Sequence, residues 1–216
     1  MATEAADPRY RDIDRWPTQI AVEAMLEAQL AAIAALKNQT AAMATAIEAA
    51  ADRLRAGGRI AYAGAGTSGR IGVQDGVELT PTFNWPFERL AFLIAGGPAA
   101  LTRTQEGAED DRAAAQAAIR EEEIGQSDVL IGIAASGRTP YVIAALEAAR
   151  TAGALTIGIA NNADAQVLRA AEHAILADTG SEVVAGSTRM KAGTAQKVTL
   201  NLISTGIMLR LGLVHH

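Results

Sequence analysis

The pattern of apolar positions changes character at Gly57-Gly58. Ahead of that pair, apolar residues recur at helical spacing. "QIAVEAMLEAQLAAIAAL" predicts a helix with Thr18 placed to cap it, and a second helix follows over 38–56, stopped by the two glycines. Residues 1–17 are polar, carry Pro8 and Pro17, and read as an extended arm. Beyond the glycines the apolar residues gather in short runs: "RIAYAG" (59–64), "LAFLIAG" (90–96), "VLIGIAA" (129–135), "LTIGIA" (155–160) and "HAILAD" (173–178). Such runs read as buried strands, with helical segments between them near 69–77, 107–123, 139–152 and 164–171. This alternation predicts an α/β fold with a parallel, doubly wound sheet. A loop, "TGSEVVAGST", and a long helix, "RMKAGTAQKVTLNLISTGIMLRLG", complete the chain. No linker divides it, so residues 1–216 are expected to form one domain, with 1–56 as arm and helices and 57–216 as the α/β core and last helix.

Two loops echo each other. "GAGTSGRIG" follows the first strand and "IAASGRTP" the third, each giving strand, Ser-Gly-Arg, helix. In an open parallel sheet both lie at the carboxyl edge, where ligands bind. Gly64, Gly66 and Gly69 fit the dinucleotide fingerprint. That reading also needs an acidic residue at the end of the second strand, about 20 residues past the glycines. Here the second strand runs into Ala95-Gly96-Gly97, and Glu88 precedes it, at the wrong end. The residues suit a smaller phosphate better. Gly66 gives room for backbone approach, Thr67 and Ser68 offer hydroxyls at a helix start, and Ser136, Gly137 and Thr139 repeat the arrangement. Ser187 and Thr188 supply a third hydroxyl loop ahead of the last helix, with Lys191 beside it. Each serine or threonine taken alone is equally an ordinary helix cap.

Net charge is −5 and half the residues are hydrophobic, with few aromatics. No basic surplus exists to neutralise a phosphate backbone, which argues against a nucleic-acid partner. Cysteine is absent, and histidine occurs only at His173, His215 and His216, the last two resembling a tag remnant. A metal site or a histidine triad is therefore not expected. "MATEAADPRYRDIDRW" has no apolar core of a signal peptide, and no apolar run approaches the ~20 residues that span a bilayer. The expectation is a cytoplasmic protein with no membrane partner.

"GAGTSGR", "EGAED", "GIAASGRTPYVIAALE" and "EVVAGSTRMKAGTAQK" resemble the N-acetylmuramic acid 6-phosphate etherases, of the sugar isomerase (SIS) domain superfamily, with the glucokinase regulatory proteins as relatives. The similarity runs from about Thr3 to about Leu213. It implies a three-layer α/β/α sandwich with a five-stranded parallel sheet, in agreement with the independent strand count. It also implies a homodimer with active sites near the subunit interface, a sugar-phosphate ligand and no cofactor or metal. The family reaction converts N-acetylmuramate 6-phosphate to N-acetylglucosamine 6-phosphate and D-lactate, in the recycling of cell-wall sugars. Family members continue past the last block with another helical segment.

Cleaving that ether needs one base and one acid whose environments hold their pKa values apart. By resemblance, Glu78 in "QDGVELTPT" is the acid that protonates the leaving oxygen, and Glu109 in "TQEGAEDD" is the base for the C2 proton. By spacing alone, Glu106 and Asp110 fit as well as Glu109, and a first-turn carboxylate is also an ordinary partner of the helix dipole. Arg189 and Lys191 either neutralise phosphate or sit on the helix surface. Arg70 and Arg138 either bind ligand or pin the loops by pairing with Glu78 or Glu182, the pinning being preferred. Asn161 and Asn162 either face the carboxyl edge or make a turn. Two other functions fit the same residues: an aldose–ketose isomerase acting on a sugar phosphate, and a sugar-phosphate sensor without catalysis.

Overall fold

The expected apolar runs form the strands β1 (Ile60–Gly64), β2 (Leu90–Ile94), β3 (Val129–Ala134), β4 (Leu155–Ala160) and β5 (His173–Leu176). They make one parallel sheet in the order β2-β1-β3-β4-β5. The computed structural model describes residues 1–214; His215 and His216 lie outside the described residues. Because β1, β3 and β4 are buried on both faces, they read as continuous apolar runs rather than alternating ones. The helices are α1 (Thr18–Ala35), α2 (Thr40–Arg55), α3 (Gly66–Val77), α4 (Leu79–Phe83), α5 (Arg112–Glu121), α6 (Pro140–Thr151), α7 (Gln166–Ala170) and α8 (Lys191–Leu211).

Alternate strand residues point to opposite faces and so build two cores. Ile60, Tyr62, Ile131, Ile133, Ile157 and Ile159 meet α2 and α8 on one face, with α3 beside them. Ala61, Ala63, Leu93 and Leu130 meet α5, α6 and α7 on the other. The result is the three-layer sandwich. Chain order leaves the sheet at β1, moves outward to β2, then returns to β3 on the other side of β1. The crevice between the carboxyl ends of β1 and β3 is therefore a topological switch point. The two Ser-Gly-Arg loops flank it.

Several local expectations change. Thr18 does not cap α1; it is the first helical residue, and Pro17 occupies the cap position without a side-chain bond. The arm is not extended but folds into three single 3-10 turns, Ala2–Glu4, Pro8–Tyr10 and Ile13–Arg15. The helix expected over 107–123 begins only at Arg112, where the Asp111 side chain accepts from the Ala114 amide at 2.8 Å. Helix α3 begins three residues earlier than expected, at Gly66 against 69. The α1–α2 stretch is more apolar than expected: Thr18–Arg55 is long and apolar enough to cross a bilayer by length and composition alone, a test that core helices of water-soluble proteins also pass. Only Ala28 and Ala32 of α1 are buried, where it packs on α8, and Ile20, Val22, Leu26 and Leu30 are exposed.

Helix α3 is locked between β1 and α8 by one carboxylate. Asp75 is 2 % exposed and accepts hydrogen bonds from Tyr62 Oη (2.9 Å), Asn201 Nδ2 (2.7 Å) and Ser204 Oγ (3.2 Å). Burial pushes its pKa above the ordinary 3.8, partly offset by these bonds. The folded state then holds the Asp75 proton to higher pH than the unfolded chain does. It binds more protons in that window, so this residue's contribution to stability falls as pH rises through it. Asp75→Asn is expected to remove that fall. Urea midpoints measured upward from about pH 4 should drop less steeply in Asp75→Asn than in the parental protein; parallel curves would refute the account.

Candidate active site at the carboxyl edge

The glycine loop is shaped by close backbone contact. A Cβ on Gly64 would lie 2.7 Å from the Gly69 N and Cα, so only glycine lets α3 turn back against the end of β1. Gly66, at φ +53°, opens that helix. Gly66 and Thr67 line a cleft of about 390 Å³ with Arg70, Gln105, Glu106 and Glu109. Glu109 stands on a single 3-10 turn, Ala108–Asp110, ahead of α5 rather than in its first turn. Glu106 lines the same cleft wall, whereas Asp110 does not. Arg70 does pin a loop, but by donating to the carbonyls of Ala100 (2.9 Å) and Leu101 (3.0 Å), not by pairing with Glu78 or Glu182.

Ser68 faces inward. It is 7 % exposed, and its Oγ donates to Gln196 Oε1 at 3.0 Å. The direction is fixed by chemistry along the chain of bonds. The Ala177 carbonyl only accepts, so Asn161 must present Nδ2 to it (2.7 Å) and Oδ1 to Gln196 Nε2 (2.9 Å). That leaves Gln196 with only an acceptor for Ser68. The relay ties the first turn of α3 to α8 and to the ends of β4 and β5. Asn161 is thus a buried bridge rather than a turn residue.

In the second loop, Gly137 at φ +68° packs where a Cβ would meet Ala165 Cβ at 2.1 Å. Ser136 Oγ accepts from the Arg138 amide at 3.2 Å, and Thr139 stands at the α6 cap position without a capping hydrogen bond. Ser136 and Arg138 line a second cleft, about 290 Å³, with Met1, Ala2, Asn162 and Asp164. In the third loop, Ser187 and Thr188 are half-buried, and α8 begins only at Lys191. Gly193 lies against both the Thr188 carbonyl and Thr67 Cγ2, which sets the third loop beside the first. Lys191 is 5 % exposed and donates from Nζ to the Ser181 carbonyl at 2.8 Å. Burial lowers its pKa, with the Glu182 charge opposing. The Glu182 carboxylate caps α8 by accepting from the Lys191 and Ala192 amides, each at 2.9 Å.

Gly66, Thr67 and Glu109 therefore share one cleft, Thr188 stands beside Thr67, and Ser136 lines a separate cleft. Ser68, Gly137 and Lys191 are buried behind the surface. Glu78 is not brought to this cleft. It follows α3, whose 12 residues span about 18 Å, so it is exposed at the opposite end from Thr67.

Comparison with known proteins places this edge in context. The chain matches the glucokinase regulatory protein N-terminal SIS domain over residues 42–150 and the SIS domain over residues 112–205. It is 50% identical over 210 residues to the N-acetylmuramic acid 6-phosphate etherase of Deinococcus radiodurans, covering 97% of this chain and 69% of that protein. It is 48% identical over 214 residues to the etherase of Lactobacillus acidophilus, covering 99% and 72%. The chain belongs to the N-acetylmuramic acid 6-phosphate etherase family. Among solved structures, the etherase-family fold seen here is shared with a phosphoheptose isomerase from Francisella tularensis (TM-score 0.62, 15% identity, 91% of this chain and 100% of that one). It is also shared with the Vibrio vulnificus NanR protein complexed with ManNAc-6P (TM-score 0.58, 15% identity, 90% and 63%).

Three residues within the family resemblance of this etherase-family chain have structural roles that the sequence does not announce. Gln196 is the centre of the buried relay, yet a single glutamine in an apolar helix does not stand out. Glu182, expected only as an arginine partner, is a helix cap. Thr3, in the polar arm, is fully buried against Asn162.

Proposed function

We propose that this protein cleaves the lactyl ether of N-acetylmuramate 6-phosphate, giving N-acetylglucosamine 6-phosphate and D-lactate. Identity of 44–50% to etherases over nearly the whole chain supports the reaction. The observation that carries the site is the cleft shared by Glu109, Thr67 and Arg70 beyond the carboxyl ends of β1 and β2. With the sugar ring open, C1 is an aldehyde and the C2 proton is acidic. Glu109 takes that proton. The electrons then expel the lactyl oxygen from C3, and Glu78 protonates it as lactate leaves. Water adds at C3 of the unsaturated aldehyde and C2 is reprotonated, which returns both carboxyl groups to their starting states. Thr67, Thr188, Ser136, Thr139 and the neighbouring amides hold the phosphate and the sugar hydroxyls.

The remoteness of Glu78 supports a homodimer. Separated from its own cleft by the length of α3, Glu78 serves the cleft of the partner subunit. Each site then holds Glu109 of one protomer and Glu78 of the other. The exposed apolar residues of α1 are consistent with a further subunit covering them. In this reading residues 1–216 act as one domain, in the cytoplasm, on a sugar released from cell wall, and carboxylates alone carry the proton transfers.

Incubation with N-acetylmuramate 6-phosphate in deuterated water tests the reaction. Lactate release with deuterium at C2 of the product is expected. Deuterium exchange without lactate overturns lactate release by this chain, and turnover of aldose or ketose phosphates then separates an isomerase from a lyase lacking its acid; tight binding with neither indicates a sensor.

A further inference from the structure

We propose that the N-terminal arm is a strap that completes the sugar-phosphate site, with Thr3 as its positioning residue. This inference rests on the carboxyl edge being that site. The arm is polar, yet Thr3 has no exposed surface. One amide group holds two things at once: Asn162 Nδ2 donates to Thr3 Oγ1 and to the Ala135 carbonyl, each at 3.0 Å. Ala135 immediately precedes Ser136. On the other side of the arm, the Gly186 amide donates to the Thr3 carbonyl at 3.2 Å. Gly186 immediately precedes Ser187. Thr3 thus sets the separation of the second and third hydroxyl loops.

Two further contacts extend the strap. The Glu4 carboxylate lies against Gly186, where a Cβ would meet Oε2 at 3.1 Å. Ser181 Oγ donates to Asp7 Oδ2 at 2.9 Å, and the same serine's carbonyl takes the Lys191 ammonium. Met1 and Ala2 then form part of the wall of the cleft that holds Ser136 and Arg138. Among residues 1–9 only Thr3 is buried, so polar bonds rather than apolar packing hold this part of the arm.

The test is calorimetric titration with N-acetylglucosamine 6-phosphate, at a temperature where circular dichroism shows every variant folded. Thr3→Val keeps the shape and removes the acceptor; it is expected to raise Kd about tenfold, while Thr3→Ser restores it to within about twofold. Asp7→Ala, a milder change on the same strap, is expected to raise Kd about threefold. A merely structural role would lower the melting temperature and leave Kd alone, so unchanged Kd in Thr3→Val and Asp7→Ala overturns the strap. If the parental protein binds this sugar phosphate but releases no lactate from N-acetylmuramate 6-phosphate, the lyase reading fails and the strap is judged on Kd. If the parental protein does not bind it, both fail.

Discussion

Lactate release is expected to fall about a thousandfold in both Glu78→Gln and Glu109→Gln, and mixing the two variants is expected to restore about a quarter of parental activity. The loss follows from removing one of two proton-transfer groups. The two variants differ in what survives. Glu78→Gln keeps the base, so deuterium still enters C2 from solvent. Glu109→Gln loses exchange and release together. The recovery on mixing follows from the position of Glu78 at the far end of α3. If each site takes Glu109 from one subunit and Glu78 from the other, a mixed dimer holds one complete site and one doubly disabled site. Random pairing makes about half the dimers mixed, and half the sites in those are complete. Co-refolding the two proteins and measuring lactate gives the answer. A mixture no more active than its components would show that the two glutamates do not work across an interface. Glu106→Gln, on the same cleft wall as Glu109, serves as the control and should keep most of the activity.

The sheet is legible because parallel strands buried on both faces leave unbroken apolar runs, and all five stand at or within a few residues of their expected positions. Helix starts are less legible. At α5 the acidic run "EGAEDD" offers several capping carboxylates, and only the fold shows that Asp111 is the one used. In the glycine loop, Gly64 packs against Gly69, a close approach within the chain, while the space expected for a ligand lies open beside Gly66. The loop's hydroxyls divide in a way that spacing does not foretell. Thr67 lines the cleft, while Ser68, the next residue, turns about 100° around the helix and bonds inward to Gln196. Glu78 shows the opposite limit. It stands ten residues after Ser68 in sequence, and the helix between them carries it about 15 Å along the helix axis, away from the cleft lining. Thr3 is invisible for a third reason. Its burial depends on two loops that are more than a hundred residues away in the chain.

Glu182→Ala is expected to destabilise the protein by about 3 kcal/mol. Glu182 has no exposed surface, and its two carboxylate oxygens accept from the first two amides of α8, a helix of 21 residues. An alanine there leaves two buried donors without partners. It also removes a negative charge from the positive end of the helix and from beside the buried Lys191 ammonium. For a chain of this length the melting temperature should fall by about 6–12 °C. Glu182→Gln keeps one acceptor but turns an NH₂ toward the other amide, so an intermediate loss is expected. Lys191→Met is expected to cost less than either. Its ammonium makes one hydrogen bond, to Ser181, and is already desolvated, whereas the helix amides have no alternative acceptor. The loop carrying Ser187 and Thr188 lies between Glu182 and the start of α8, so sugar-phosphate affinity should fall in the same order as stability. Differential scanning calorimetry on the three variants decides the matter. A Glu182→Ala melting temperature equal to that of Lys191→Met would mean that the buried carboxylate serves the lysine rather than the helix.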